Sequence, residues 1–345
     1  MAKNKSGKPV KKNKKTNHVS PAVARLARSL ASLKGKGRTL VTFHSLGDVD
    51  AAASALALQT VLKARGVDAH VRCVDSLNSQ ARRVLSFYGC AAPQTLVGID
   101  ASAIVLVDVS NADLLAEWGP AISGFNGPLF VIDHHYHNKH VKTAQGCALV
   151  EPHATSTAEI IMQIARALNC PLPPKTASLL LCAVLADTAF FKSADNATLA
   201  AAFALVALGA DFGECAALCR AKRDASEALA IIKCVGGARI EKLGAKGAVL
   251  AAFGKAHSHE LACAAALVDL GCDYAFVANE REGRISAAKS DCATGSVGKI
   301  MEAAGRGFGA SGSGGGHEKV GGAKGESSRV NAALEECLAL VRKLA

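Results

Sequence analysis

The chain has 345 residues, half of them hydrophobic and only 4 % aromatic, with a net charge of +11. That length and composition allow two domains of ordinary size with cores of small side chains. They exclude a membrane-spanning chain, because the longest apolar stretch, about residues 199–210, falls far short of the roughly 20 residues a span needs.

Residues 1–38 hold twelve basic residues and no acidic one, so the rest of the chain, 28 basic against 29 acidic, is close to neutral. This segment reads as a basic, partly disordered N-terminal arm. On one reading it is a solubilising tail. On another it is an electrostatic arm for single-stranded nucleic acid, whose phosphates it would neutralise. No apolar core follows the basic start, so no secretory signal is expected. The twelve cysteines form no Cys-x-x-Cys pair and read as small core residues in a reducing cytosol. A cytoplasmic location follows as the expectation.

Residues 39–44 are short and apolar and read as a buried strand. Asp48 or Asp50 then caps a helix that runs to about Arg65 and ends at Gly66. Residues 67–73 alternate as a second strand, and 104–109 and 129–132 are further short strands. Residues 155–168 read as a helix opening on Ser156-Thr157-Ala158-Glu159, the spacing of a capping box. Residues 175–186 form a buried helix with Asp187 at its end. Strands alternating with helices imply parallel βαβ units. The expected architecture is therefore α/β. A parallel-sheet domain covers 39–219, a charged helical linker covers 220–235, and a smaller α/β domain covers 236–345. Within the latter, 248–253, 274–279 and 284–288 read as strands and 259–270 as a helix. Residues 305–325, with ten glycines in twenty-one positions, read as a loop whose backbone could approach a ligand closely.

Four apolar segments end in acids or histidines. His44, Asp48 and Asp50 follow the first, Asp108 the second, Asp133-His134-His135 the third, and Asp187 the fourth. In an open parallel sheet the carboxyl ends of the strands face one crevice, and ligands bind there. Carboxylates mixed with imidazole suit Mn²⁺, Mg²⁺ or Zn²⁺. Each residue alone has an ordinary reading, since an Asp after a strand is usually a turn former or helix cap. Their coincidence at element ends is what points to a metal centre. His137, His140 and His153 read as surface residues, with an alternative zinc site through His137 and His140.

These motifs resemble those of the DHH phosphoesterase superfamily, named for its Asp-His-His triplet, over about residues 39–215. Gly283-Arg284-Ile285-Ser286-Ala287-Ala288-Lys289-Ser290 and Gly314-Gly315-Gly316-His317 resemble the two signatures of the DHHA1 substrate-binding domain. The resemblance implies two divalent metal ions, Mn²⁺ foremost and Mg²⁺ as the alternative. It implies His44, Asp48 and Asp108 on one ion, and Asp50, Asp108, His134 and Asp187 on the other. His135 would face the scissile phosphate as a hydrogen-bond donor or general acid. Asp133 would orient a ligating imidazole, and Asn138 would support the same surroundings. Arg284, Ser286, Lys289, Ser290, Gly314, Gly315, Gly316 and His317 would bind substrate. Val49 stands where the family usually has proline, Ala53 and Ala189 where glycine is common, and Lys289 where arginine is common. None of these departures removes a metal ligand.

The function implied is hydrolysis of short oligonucleotides or dinucleotides to mononucleotides, as in the nanoRNase and pAp-phosphatase group, with a cleft between the domains selecting short chains. Alternatives are a RecJ-like single-strand exonuclease, a cyclic-dinucleotide phosphodiesterase, and an inactive replication or repair scaffold. Two-domain members of the family often form homodimers, a state that no feature of this sequence decides.

Overall fold

The computed structural model describes residues 19–135, 140–144, 147–220, 225–316 and 318–345. Its internal contacts divide the chain into two units, Met1–Ala221 and Lys222–Ala345.

The first unit opens with helix α1, Pro21–Ala31. Ser20 caps it, its hydroxyl accepting from the Val23 N–H at 3.2 Å. Val23, Leu26, Ala27 and Leu30 recur at helical spacing and are buried. Part of the segment read as a basic arm is thus a helix packed into the core. The signal was present in the apolar period, masked by the flanking lysines. Residues 1–18 lie outside the described residues.

Strand β1 is Arg38–Thr42, helix α2 Val49–Ala64, β2 Asp68–Val71, α3 Ser79–Phe87, β3 Ala103–Val107, α4 Gly119–Ser123, β4 Leu129–Asp133 and β5 Ala148–Val150. Four helices follow: α5 Thr157–Ala167, α6 Pro174–Asp187, α7 Asn196–Ala207 and α8 Phe212–Cys219. The sheet order is β2-β1-β3-β4-β5, every pair parallel. After β1 the chain runs to one side to make β2, then returns across β1 to make β3. The gap between the carboxyl ends of β1 and β3 is therefore the topological switch point where such sheets bind ligands. Alternation along β3 sends Ala103, Val105 and Val107 into the core shared with α1, α2, α5 and α6. Ile104 and Leu106 enter a second core under Leu96, Leu115 and Ile122. Both sheet faces are covered, as an all-parallel sheet requires.

The second unit contains α9 (Ala225–Gly236), β6 (Arg239–Leu243), β7 (Val249–Lys255), α10 (Glu260–Asp269), β8 (Tyr274–Asn279), β9 (Arg284–Lys289), α11 (Val297–Gly307), β10 (Ser313–Gly316), β11 (Val320–Lys324) and α12 (Val330–Leu344). Its sheet runs β10-β11-β9-β8-β7-β6. Only β7 and β8 are parallel, and α10 connects them; the other neighbours are antiparallel. Helices α11 and α12 cover one face and α9 and α10 the other. Most of the stretch read as a linker is helix α9, which belongs to this unit.

The glycine-rich stretch is also not a loop. It is a β-hairpin, β10 to β11, laid against α11. A Cβ on Gly314 would lie 1.9 Å from the Met301 carbonyl oxygen, so glycine there lets a strand touch a helix backbone. Among the described residues no single helix is long and apolar enough to cross a membrane.

Candidate metal centre

The site forms at the carboxyl ends of β1, β3 and β4. Past β1 the chain turns through His44, Ser45, Leu46 and Gly47 before α2. Asp75, which sequence reasoning did not single out, holds this turn. Its carboxylate accepts from the Leu46 N–H at 2.9 Å and from the Ser45 hydroxyl. Gly47 is obligatory, because a Cβ there would come within 2.2 Å of the buried Phe43 ring. Asp48 caps α2, accepting from the Ala51 N–H at 3.0 Å. Val49, where the family has proline, is the first residue of α2, a position that proline and ordinary residues both tolerate.

Asp108 follows β3 with φ at +60°, a left-handed conformation that costs a non-glycine residue energy and that Asp tolerates better than most. Its N–H donates to the Ile132 carbonyl at 2.8 Å. Its Oδ2 lies 3.6 Å from His44 Nε2, while its Oδ1 lies 3.6 Å from both His134 Nε2 and His135 Nδ1. His134 Nε2 is 3.1 Å from Asp187 Oδ2.

Three groups converge closely enough to hold a cation: His44, Asp48 and Asp108; Asp50, His134 and Asp187; and Asp108, His134 and His135. The first contains the three residues that the resemblance implies for one ion, and the second contains three of the four implied for the other; Asp108, the fourth, groups with His134 and His135 instead. The chemistry of the donors fits a hard divalent ion. His44 Nδ1 donates to the Ser45 carbonyl at 2.8 Å and His134 Nδ1 to the Ala154 carbonyl at 3.2 Å. A carbonyl can only accept, so the proton sits on Nδ1 and each Nε2 can ligate. The buried His134 Nε2 and Asp187 Oδ2 face each other at 3.1 Å and make no hydrogen bond to any other group among the described residues, so both can turn to a cation.

Asp50 is 1 % exposed and its surroundings explain why. The sequence reading of a Ser156–Glu159 capping box at α5 is wrong. Ser156 makes no cap, and Glu159 instead accepts from the Thr155 hydroxyl at 2.6 Å. Asp50 takes the role from across the fold. Its Oδ2 accepts from the Thr157 N–H at 2.6 Å and its Oδ1 from the Ala158 N–H at 3.0 Å. The positive end of α5 thereby faces a buried carboxylate. Thr157 itself was missed; its hydroxyl donates to Asp108 Oδ1 at 2.8 Å.

Asp133 differs from the expectation that it would orient a ligating imidazole. It accepts from the backbone N–H of His135 at 3.0 Å and from His135 Nδ1 at 2.9 Å, fixing the outermost histidine. That histidine is the most exposed of the three, with 45 % of its side chain accessible. Asn138 and His137 lie outside the described residues, while His140 and His153 are exposed.

The electrostatics describe an acidic site short of positive charge. Burial, then the charges of Asp108 and Asp187, push Asp50 well above the usual carboxylate range. Burial also raises Asp108, and the neighbouring His44 pulls it part of the way back. Burial opposes the His44 imidazolium, but Asp108 and Asp48 outweigh it and carry His44 up to about 11. Burial likewise opposes His134, and Asp187, Asp50 and Asp108 carry it up to about 10. In the metal-free protein, protons on the histidines do the neutralising that a cation would do.

In the second unit the expected substrate residues have internal partners. Arg284 pairs with Glu260 and Glu282, both at 3.0 Å. Lys289 is buried, donates to the Ala293 carbonyl at 2.8 Å and lies 3.5 Å from Glu318. Ser290 reaches Asp273 at 3.4 Å. Ser286, Gly322 and Gly315 form one row across β9, β11 and β10, and the space beside Gly315 is open. His317 lies outside the described residues.

The model of the DHH family, N-terminal domain, matches residues 38–184. An uncharacterized protein of Methanocaldococcus jannaschii is 29 % identical over 305 residues, 83 % of this chain and 87 % of that one. Among solved structures, an exopolyphosphatase-related protein from Bacteroides fragilis superimposes with a TM-score of 0.74 at 14 % identity, covering 95 % of this chain and 99 % of that one. RecJ from Thermus thermophilus, in complex with Mn²⁺, superimposes with a TM-score of 0.57 at 15 % identity, covering 95 % of this chain and 56 % of that one. At these identities the two structures speak for the fold.

Proposed function

We propose, from the match of residues 38–184 to the DHH family, N-terminal domain, that the chain is a phosphoesterase of the DHH superfamily, a two-metal-ion phosphodiesterase that hydrolyses short oligonucleotides and dinucleotides to mononucleotides. The observation that carries this reading is Asp108, whose two oxygens face different imidazoles, His44 on one side and His134 on the other. A single carboxylate so placed would serve both ions of a two-ion site.

His44, Asp48 and Asp108 would hold one ion, and Asp50, Asp108, His134 and Asp187 the other, with Mn²⁺ as the favoured metal and Mg²⁺ as its alternative. The ions would activate a water and neutralise charge on the phosphoryl oxygens. The chain's own groups do the rest. Asp133 anchors His135 through Nδ1, and the far edge of that exposed ring donates to a phosphate oxygen or to the leaving group. Thr157 and the start of α5 hold Asp50 and Asp108 in place.

We assign substrate binding to the second unit, read as a DHHA1 domain. The Ser286–Gly322–Gly315 row offers a hydroxyl beside bare backbone, a surface on which a sugar-phosphate chain can lie close. Arg284 and Lys289 contribute positive charge already tempered by Glu260, Glu282 and Glu318. Such a site favours a ligand with few phosphates.

Product analysis tests the reading directly. Purified protein with Mn²⁺ is given 5′-pApA, a labelled single strand of about 24 nucleotides and cyclic di-AMP side by side. The expected result is fast conversion of pApA with little attack on the other two. Preferential digestion of the long strand would replace the reading with a RecJ-like exonuclease. Preference for the cyclic substrate would replace it with signalling-nucleotide turnover, and inactivity on all three with a scaffold.

A further inference from the structure

Over β1 and β2, one face of the parallel sheet is roofed by an irregular segment, residues 94–102, instead of a helix. The segment is pinned at both ends. At the carboxyl end of β2 the Cys73 N–H donates to the Gln94 carbonyl at 3.1 Å, and the Leu96 N–H to the Cys73 carbonyl at 2.8 Å. At the amino end of β1 the Ser102 N–H donates to the Arg38 carbonyl at 2.7 Å, and the Arg38 guanidinium donates to Asp100 at 2.6 Å. Between the pins, the N–H groups of Val97, Gly98, Ile99 and Asp100 donate to nothing among the described residues. Between this segment and the sheet lies a cavity of about 520 Å³, within the roughly 300–1,000 Å³ of small-molecule sites.

The cavity has a cationic side and an apolar one. Arg38, His70 and Arg72 line the first; Leu40, Leu96, Val97 and Ile99 line the second. Two of the cationic side chains have acidic partners, Arg38 in Asp100 and His70 in Asp68, each at 2.6 Å. Arg72 does not. It is half-buried, reaches the Val71 carbonyl at a long 3.3 Å, and forms no ion pair among the described residues. A guanidinium drawn away from water normally pairs with a carboxylate or a phosphate. Val97 stands 95 % exposed at the lip, an apolar surface that a bound molecule would cover.

We propose that this cavity binds a phosphate monoester of mononucleotide size, its phosphate on Arg72 and its base against Leu96, Val97 and Ile99. The planar fork of a guanidinium matches two phosphate oxygens, and unspent backbone N–H groups are the other common donors to such an anion. A bare phosphate would leave the apolar side uncovered, and a neutral apolar molecule would leave Arg72 unpaired, so the site takes a ligand with both parts. Its floor is the face of β1 and β2, apart from the carboxyl-end crevice that gathers the metal-centre residues. The inference does not depend on the hydrolytic reading.

Isothermal titration of the full chain with AMP, ribose 5-phosphate and inorganic phosphate tests it, in EDTA so that no metal takes part. The expected result is saturable binding of AMP, tighter than that of ribose 5-phosphate or phosphate. Arg72→Gln should weaken it about tenfold or more, the scale of one charge-assisted hydrogen bond, with an unchanged circular dichroism spectrum. Should that variant misfold, Val97→Glu alters an exposed side chain, sets a negative charge at the lip and reads the same quantity. Absence of AMP binding would overturn the inference. So would AMP that binds no tighter than phosphate, or binding that is unchanged in the folded variant.

Discussion

The Thr157 hydroxyl donates to Asp108 Oδ1 at 2.8 Å, while the backbone N–H of the same residue donates to Asp50 Oδ2 at 2.6 Å. One buried threonine therefore holds two carboxylates that are far apart in the sequence. Thr157→Val keeps the shape and removes the hydroxyl. A hydrogen bond to a charged group contributes about 1.5–3 kcal/mol, so manganese affinity or turnover is expected to fall about ten- to a hundredfold. Isothermal titration with Mn²⁺, alongside the hydrolysis rate, checks it; a change in melting temperature alone would reduce Thr157 to a packing role.

Gly47→Ala is expected to be far worse than a methyl group suggests. The new Cβ would press on the ring of Phe43, which is fully buried and has nowhere to go. Overpacking costs typically about 1–3 kcal/mol, and the displaced turn carries His44. Thermal melting and metal titration should therefore deteriorate together.

Ala189→Gly is expected to stabilise the protein. Ala189 has φ at +46°, a conformation that costs a residue with a side chain about 1–2 kcal/mol, part of which glycine returns through the greater freedom of its unfolded chain. The family's usual glycine at this position has the same physical reason. A rise in melting temperature of a few degrees is the expected reading.

The pH dependence follows from the two buried histidines. Their folded-state values, about 11 for His44 and about 10 for His134, lie above the ordinary 6.5. The stability they give the metal-free protein is therefore fully present below about 6.5 and is lost as pH rises toward 10 and 11. Metal binding must displace these protons, so manganese affinity is expected to rise with pH over the same window and binding at pH 8 to release protons. Titrations in buffers of different ionisation enthalpy measure that release. Binding with no proton exchange would contradict the assignment of His44 and His134 as ligands.

Much of this was legible in the sequence because the signals are local. Short β-branched runs that stop at His44, Asp108 and Asp133 announce strand ends, and a parallel sheet gathers strand ends in one place. What the sequence hid was non-local. Asp50 caps α5 across more than a hundred residues, accepting from the Thr157 and Ala158 N–H groups, so the Ser156–Glu159 spacing, an ordinary local pattern, is not the cap that the fold uses. Gly314 and its neighbours read as loop because glycine frequency measures chain freedom, whereas here it measures how closely β10 lies on α11. The helix Pro21–Ala31 was obscured because lysine-rich flanks dominated the composition of the segment that contains it.

The most direct test of the account is a count of bound manganese in the purified chain and in Asp108→Asn, which keeps the size of the side chain and tolerates the left-handed backbone. The account predicts two ions per wild-type chain. In the variant it predicts fewer ions, with hydrolysis reduced at least about a hundredfold, the scale of removing one such electrostatic group. A wild type that holds no manganese, or a variant that hydrolyses substrate as fast as the wild type, would contradict it.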